Sequence, residues 1–172
     1  MKILLTLLLC LSSLNALADN WVSWPTVGSA TLRWGPFDVY FSVLRTPAGR
    51  YEANQWPQAL TINYQRDIAA TDLVKATQEQ WQAMKLAVPA EQQQRWLAQL
   101  SALWPSVTKG SQLTFVGDNK GGLFYYRSQP GQPVRPIGER FDSDFRDAFL
   151  AIWLSPATQY PALRQQLTGG SL

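Results

Sequence analysis

Two hydrophobic periodicities share this chain, and the switches between them set out its elements. In the stretch 141–156, Phe145, Ala148, Phe149, Ile152 and Trp153 recur at i, i+3, i+4, i+7 and i+8, which places them on one helical face. Asp142 or Ser143 offers a side-chain oxygen to the free amides of the first turn. Asp144 and Asp147 lie in or near that turn, where the helix dipole favours negative charge. Pro156 ends the helix. Each buried aromatic withdraws about 150–250 Å² from water, so this face demands a large apolar partner.

Period-two patterns supply that partner. Residues 27–34 place Val27, Ser29, Thr31 and Arg33 on one side and Gly28, Ala30, Leu32 and Trp34 on the other. Gly35-Pro36 marks a turn or a bulge. In 37–45, Phe37, Val39, Phe41 and Val43 face one way while Asp38, Tyr40 and Ser42 face the other. Leu60, Ile62 and Tyr64 define a further strand. Residues 19–25, with Trp21 and Trp24, read as a first short strand or a lead-in.

Helical spacing then takes over. Thr71 is placed to cap a helix through about Leu86, with Leu73, Ala76, Thr77, Trp81 and Met84 inward. Pro89 opens a second, with the stripe Trp96, Leu97, Leu100, Leu103 and Trp104, and Pro105 closes it. The short linker predicts an antiparallel pair. Strands return at Leu113, Phe115 and at Leu123, Tyr125, which flank the hairpin signal Asp118-Asn119-Lys120-Gly121-Gly122. Residues 132–137, limited by Pro133 and Pro136, read as an edge strand. After the 141–156 helix, Pro161 starts a last short one with Leu163 and Leu167. The order predicts an α+β fold: an antiparallel β-sheet with helices packed on one face. A small apolar ligand would fit between the two layers.

Composition narrows the function more than it names it. In 172 residues, 46% are hydrophobic, enough for one core and too many for a disordered chain. The net charge of +3 shows no basic stripe, so nucleic acid is not an expected partner. Residues 1–18 read as a secretory signal peptide: Lys2, an apolar run from Ile3 to Leu11, then Ala16-Leu17-Ala18 as the cleavage site. The run is too short to span a bilayer. The expected product is a single domain, 19–172, periplasmic or secreted, with no integral membrane span. It would have no thiol, since Cys10 is the only cysteine.

Histidine is absent, which removes the commonest general base and metal ligand. Carboxylate sites for hard cations are the metal option left. Their candidate cluster, Asp142, Asp144 and Asp147, reads better as decoration of a helix N-terminus, so no metal and no cofactor is expected. Gly28-Ser29-Ala30 has no imidazole to activate its serine. Lys109-Gly110-Ser111 lacks the leading glycine and following helix of a phosphate loop. Arg33, Arg45, Arg66 and Arg127 lie on or near strands, and an inward one would pair with a carboxylate or stabilise an enolate or phenolate. Arg33 stands out because its strand neighbours are apolar. Phe41, Trp81, Phe145 and Trp153 are candidates to line a pocket, although each also reads as plain core.

Three segments in order resemble chalcone isomerase-like domains of the bacterial secreted branch. They are Val27-Gly28-Ser29-Ala30 through Gly35-Pro36-Phe37-Asp38-Val39-Tyr40, then Trp104-Pro105-Ser106-Val107-Thr108-Lys109-Gly110-Ser111-Gln112-Leu113, and Phe145 to Pro156 with Pro161-Ala162-Leu163-Arg164. The resemblance implies a chalcone isomerase-like open-faced sandwich. In the plant enzymes an Arg, a Thr, a Tyr and an Asn cyclise a chalcone in a cleft. Alignment puts those positions near Ser29, Phe41, Ala70 and Thr77, so the polar set is missing here. Other relatives hold a fatty acid through an Arg and a Tyr, roles that Arg33 and Tyr40 would fill if a bulge brought them to one side. The expectation is a non-catalytic binder of an apolar or amphipathic small molecule, fatty-acid-like or flavonoid-like. Its ligand-binding residues would be Arg33, Tyr40, Phe41, Thr77, Trp81 and Phe145, with no catalytic residue assigned. The alternatives are an intramolecular lyase with a non-standard polar set and a cell-envelope scaffold without a ligand.

Overall fold

The computed structural model describes residues 20–170. The signal peptide expected at 1–18 lies outside the described residues. Six strands form one antiparallel sheet in chain order: β1 (Thr26–Trp34), β2 (Phe37–Arg45), β3 (Gln58–Tyr64), β4 (Gln112–Asp118), β5 (Gly121–Arg127) and β6 (Arg135–Phe141). The helices are α1 (Ala70–Ala83), α2 (Ala90–Leu103), α3 (Ser143–Leu154) and α4 (Pro161–Leu167). Their buried faces merge with one side of the sheet into a single core, the α+β arrangement that the order of elements predicts.

The organising helix forms for the reason its sequence suggests. Asp142 accepts a hydrogen bond from the Phe145 amide at 2.9 Å and caps α3. The helix is buried almost all round: Leu150 and Leu154 join the predicted stripe below water's reach, and so does Arg146. Phe145 stacks on Phe141 at 3.9 Å between centroids and meets Trp96 and Trp81 edge-on at 5.6 and 6.3 Å. Phe115 and Phe124, from β4 and β5, close the cluster from below. The Trp81 indole donates to the Ala148 carbonyl at 2.9 Å and pins α1 to α3.

Three local expectations change. Thr71 does not cap α1. The helix begins at Ala70, two residues earlier than a Thr71 cap would set it, and Ser106 from the loop after α2 accepts the Ala70 amide instead. The edge strand starts at Arg135 rather than 132 and runs on to Phe141, with Pro136 tolerated because it lies at the sheet's edge. Of the two readings of 19–25, the lead-in holds and the strand does not: residues 21–23 form one 3-10 turn, and its Trp21, with Trp24, packs on the sheet face opposite the helices against Ala59, Val116 and Tyr125.

The β1–β2 hairpin turns through Gly35, at φ +58°, followed by Pro36, the glycine-first pattern of a tight two-residue loop. Its register then slips. Leu32 pairs with Tyr40, but Arg33 pairs with Asp38, leaving Val39 as an extra residue in β2. Clean alternation over 37–45 therefore fails at one point, and Asp38 and Tyr40 go to opposite faces. At the other end of β1, Gly28 lies flush under the last turn of α4, where an added Cβ would sit 2.0 Å from the Gln166 carbonyl oxygen.

Two substitutions test this account by urea unfolding. Phe145→Ala, which empties the aromatic cluster, costs about 3–5 kcal/mol. Asp142→Ala, which removes only the cap, costs about 1 kcal/mol.

Candidate functional site

A cavity of about 170 Å³ lies between the sheet and the helices. Its floor is Leu60, Ile62, Leu113, Phe115 and Phe124 from the three central strands. These side chains share one face because they alternate along their strands in register: Leu60 opposite Phe115, Ile62 opposite Leu113, and Phe115 opposite Phe124. The roof comes from α1 through Leu73, Ala76, Thr77 and Gln80, and from α3 through Phe149, Ile152 and Trp153. Asp72 and Ala76 line it and are solvent-exposed, which sets the mouth beside the first turns of α1.

The hairpin bulge shapes the wall nearest β1. Because Val39 is the extra residue, it and its neighbour Tyr40 both line the cavity, which unbroken alternation would forbid. Tyr40 is 9% exposed and accepts a hydrogen bond from the Trp153 indole at 2.9 Å. Tyr64, 7% exposed at the end of β3, meets the Tyr40 ring edge-on with centroids 6.4 Å apart. Burial pushes both phenols well above their ordinary pKa; the Trp153 bond partly offsets this for Tyr40. Both stay protonated donors at any physiological pH. Near the opening, Gln80 donates from Nε2 to the Tyr160 hydroxyl at 3.1 Å.

Of the six expected ligand-binding residues, Tyr40 and Thr77 line this cavity. The Thr77 hydroxyl is spent on the Leu73 carbonyl one turn back, so the residue offers mainly its methyl group. Trp81 and Phe145 are fully buried in the aromatic cluster and form no part of the lining. Phe41 faces away from the helices and is 38% exposed. Its parity on β2 puts it on the sheet's other face, beyond the bulge that redirects Val39. Arg33 is also excluded: its side chain is 69% exposed and pairs with Asp38 at 2.8 Å. A bulge does intervene between Arg33 and Tyr40, but it delivers Asp38, not Tyr40, to the arginine.

Arg146 is the arginine that is buried, at 6% exposure. It pairs with Asp147 at 2.7 Å, donates to the Asp118 carbonyl, and stacks 3.9 Å over the Trp56 ring. All its contacts are internal, and it does not line the cavity. Asp142 and Asp147 are thus engaged as a cap and an ion-pair partner, and no three His, Cys, Asp or Glu side chains among the described residues are grouped to hold a metal ion.

Sequence reasoning missed Tyr64, Gln80 and Tyr160 as lining residues. The available signal was a hydroxyl-bearing aromatic in phase with Leu60 and Ile62 on a core-facing strand, a polar tip where only apolar surface was needed. Among the described residues, Asp72 is the one carboxylate on the lining, and no Lys or Arg lines it. Such a site can desolvate an apolar body and donate hydrogen bonds from phenols. It cannot offer a cation to a developing enolate or phenolate.

No family model matches the chain. Over 152 residues it is 27% identical to an uncharacterized protein of Haemophilus influenzae, an alignment that covers 88% of this chain and 71% of that protein.

The buried phenols make stability sensitive to alkali. Below about pH 10 both states keep them protonated; above it the unfolded chain loses those protons while the folded one retains them, so stability falls as pH rises. Tyr64→Phe removes one such group and reduces the loss by about 1.4 kcal/mol per pH unit above 10. Urea unfolding of both proteins between pH 9 and 11 measures the difference.

Proposed function

We propose that this protein binds an apolar or amphipathic small molecule without transforming it, and does so outside the cytoplasm. The observation that carries the reading is the cavity: a space of about 170 Å³, walled by aliphatic and aromatic side chains and opening beside Asp72 and Ala76. A void of about 150 Å³ with apolar walls is enough to take a benzene ring. One ring or a short acyl segment therefore fits inside, and the rest of a longer ligand extends through the mouth. The resemblance to chalcone isomerase-like domains supports the same layer as the binding region, and the signal peptide pattern at 1–18 supports export.

The lack of a cation on the lining favours binding over cyclisation. Closing a chalcone ring requires stabilising negative charge, and phenols whose pKa burial has raised do this poorly. Native mass spectrometry of protein taken from cells is the direct test. A co-purifying small molecule is expected, and Ala76→Phe, which narrows the mouth from an exposed helical position, is expected to reduce its occupancy. Wild-type protein that carries nothing and gains no thermal stability from any hydrophobic compound would reject the proposal. Cyclisation of naringenin chalcone well above its spontaneous rate would replace it with the isomerase reading.

A further inference from the structure

The hydroxyl protons of Tyr40 and Tyr64, the two buried phenols of the lining, have no acceptor among the described residues. An indole N–H can only donate, so in the Trp153–Tyr40 bond the tyrosine oxygen is the acceptor, and its own proton remains unspent. The Tyr64 hydroxyl makes no hydrogen bond with the described residues, although the residue is more than nine-tenths buried. Both rings line the same space, at edge-to-face distance from one another. The Tyr64 hydroxyl opens onto the cavity and is not sealed in the core, so its proton is available to a ligand there.

The charge around these protons restricts what can receive them. Among the described residues no Lys or Arg lines the cavity, and Asp72 contributes a carboxylate near the mouth. An anionic ligand would be desolvated among apolar walls with no counter-charge and with a like charge at the entrance. An uncharged oxygen meets neither penalty.

We infer that the cavity selects apolar ligands carrying an uncharged oxygen acceptor, a ketone, ester or ether, which the hydroxyls of Tyr40 and Tyr64 hold at the end nearest β1 and β2. This rests on the ligand-binding reading above and specifies its ligand class. The Trp153 indole positions the Tyr40 hydroxyl by occupying its oxygen, so that the phenol's remaining capacity is a donor. A carboxylate, the head group of a fatty acid, is selected against.

Three probes of nearly one shape separate these terms: ethylbenzene, acetophenone and benzoate, titrated calorimetrically into purified protein at pH 7. Acetophenone is expected to bind roughly 3–10-fold more tightly than ethylbenzene, the value of about one net neutral hydrogen bond. Benzoate is expected to bind more weakly than both. Tyr64→Phe should bring acetophenone towards the ethylbenzene level while ethylbenzene keeps its affinity, which also shows that the variant is folded. Equal affinities for ethylbenzene and acetophenone in the wild type would overturn the oxygen-acceptor inference and leave the apolar-binding proposal standing. Benzoate binding most tightly would also overturn the inference. Failure of all three to bind would overturn the inference, while native mass spectrometry of protein taken from cells decides the apolar-binding proposal separately.

Discussion

The structure depends on Phe145 being enclosed. This ring is fully buried, stacked between Phe141 and Phe149 and met edge-on by Trp81 and Trp96. Aromatic pairs in such offset or edge geometries contribute about 0.5–1.5 kcal/mol each beyond their area, and here one side chain takes part in several at once. Those contacts draw together α1, α2, α3 and the central strands, elements that lie far apart in the chain. The cavity is a product of the same arrangement. Packing is continuous around Phe145 and loosens towards β1 and β2, where Tyr40 and Tyr64 take the place of a further layer of rings.

Much of the fold could be read from periodicity because the helix and strand spacings differ and the chain rarely mixes them. The stripe of α3, the pair α1 and α2, and the hairpin at Asn119-Lys120 all follow from residue spacing and turn chemistry. What periodicity missed has a common cause, which is that partners come from elsewhere in the sequence. Ser106 serves the start of α1 across a gap of 36 residues, and no local cap at Thr71 was required. The register slip at Val39 depends on how β1 pairs with β2, and one strand read alone shows unbroken alternation.

The candidate site was harder to read for a related reason. Trp81, Phe145 and Trp153 are inside as expected and Phe41 is not, but burial does not say which rings face empty space. Trp81 and Phe145 have their surfaces covered by neighbours, whereas Tyr40 and Tyr64 have a surface left over. Arginines misled by their positions on or near strands. Arg33 finds Asp38 two residues into the next strand and stays in water, while Arg146 is buried on a helix because Gly117 and Trp56 leave it room. An arginine's stem tolerates either setting, so its position along a strand carries little information about its partner.

All six strands and both long helices precede α3 in the sequence. Until that segment is available, the helix-facing side of the sheet, with Leu60, Leu113, Phe115 and Phe124, lacks the part of its cover that α3 provides. A ribosome-bound chain thus holds apolar β-surface that α1 and α2 cover only in part. Closure of the core comes as a late step in biogenesis, and a chaperone able to shield apolar strands has its work in the interval before α3 arrives.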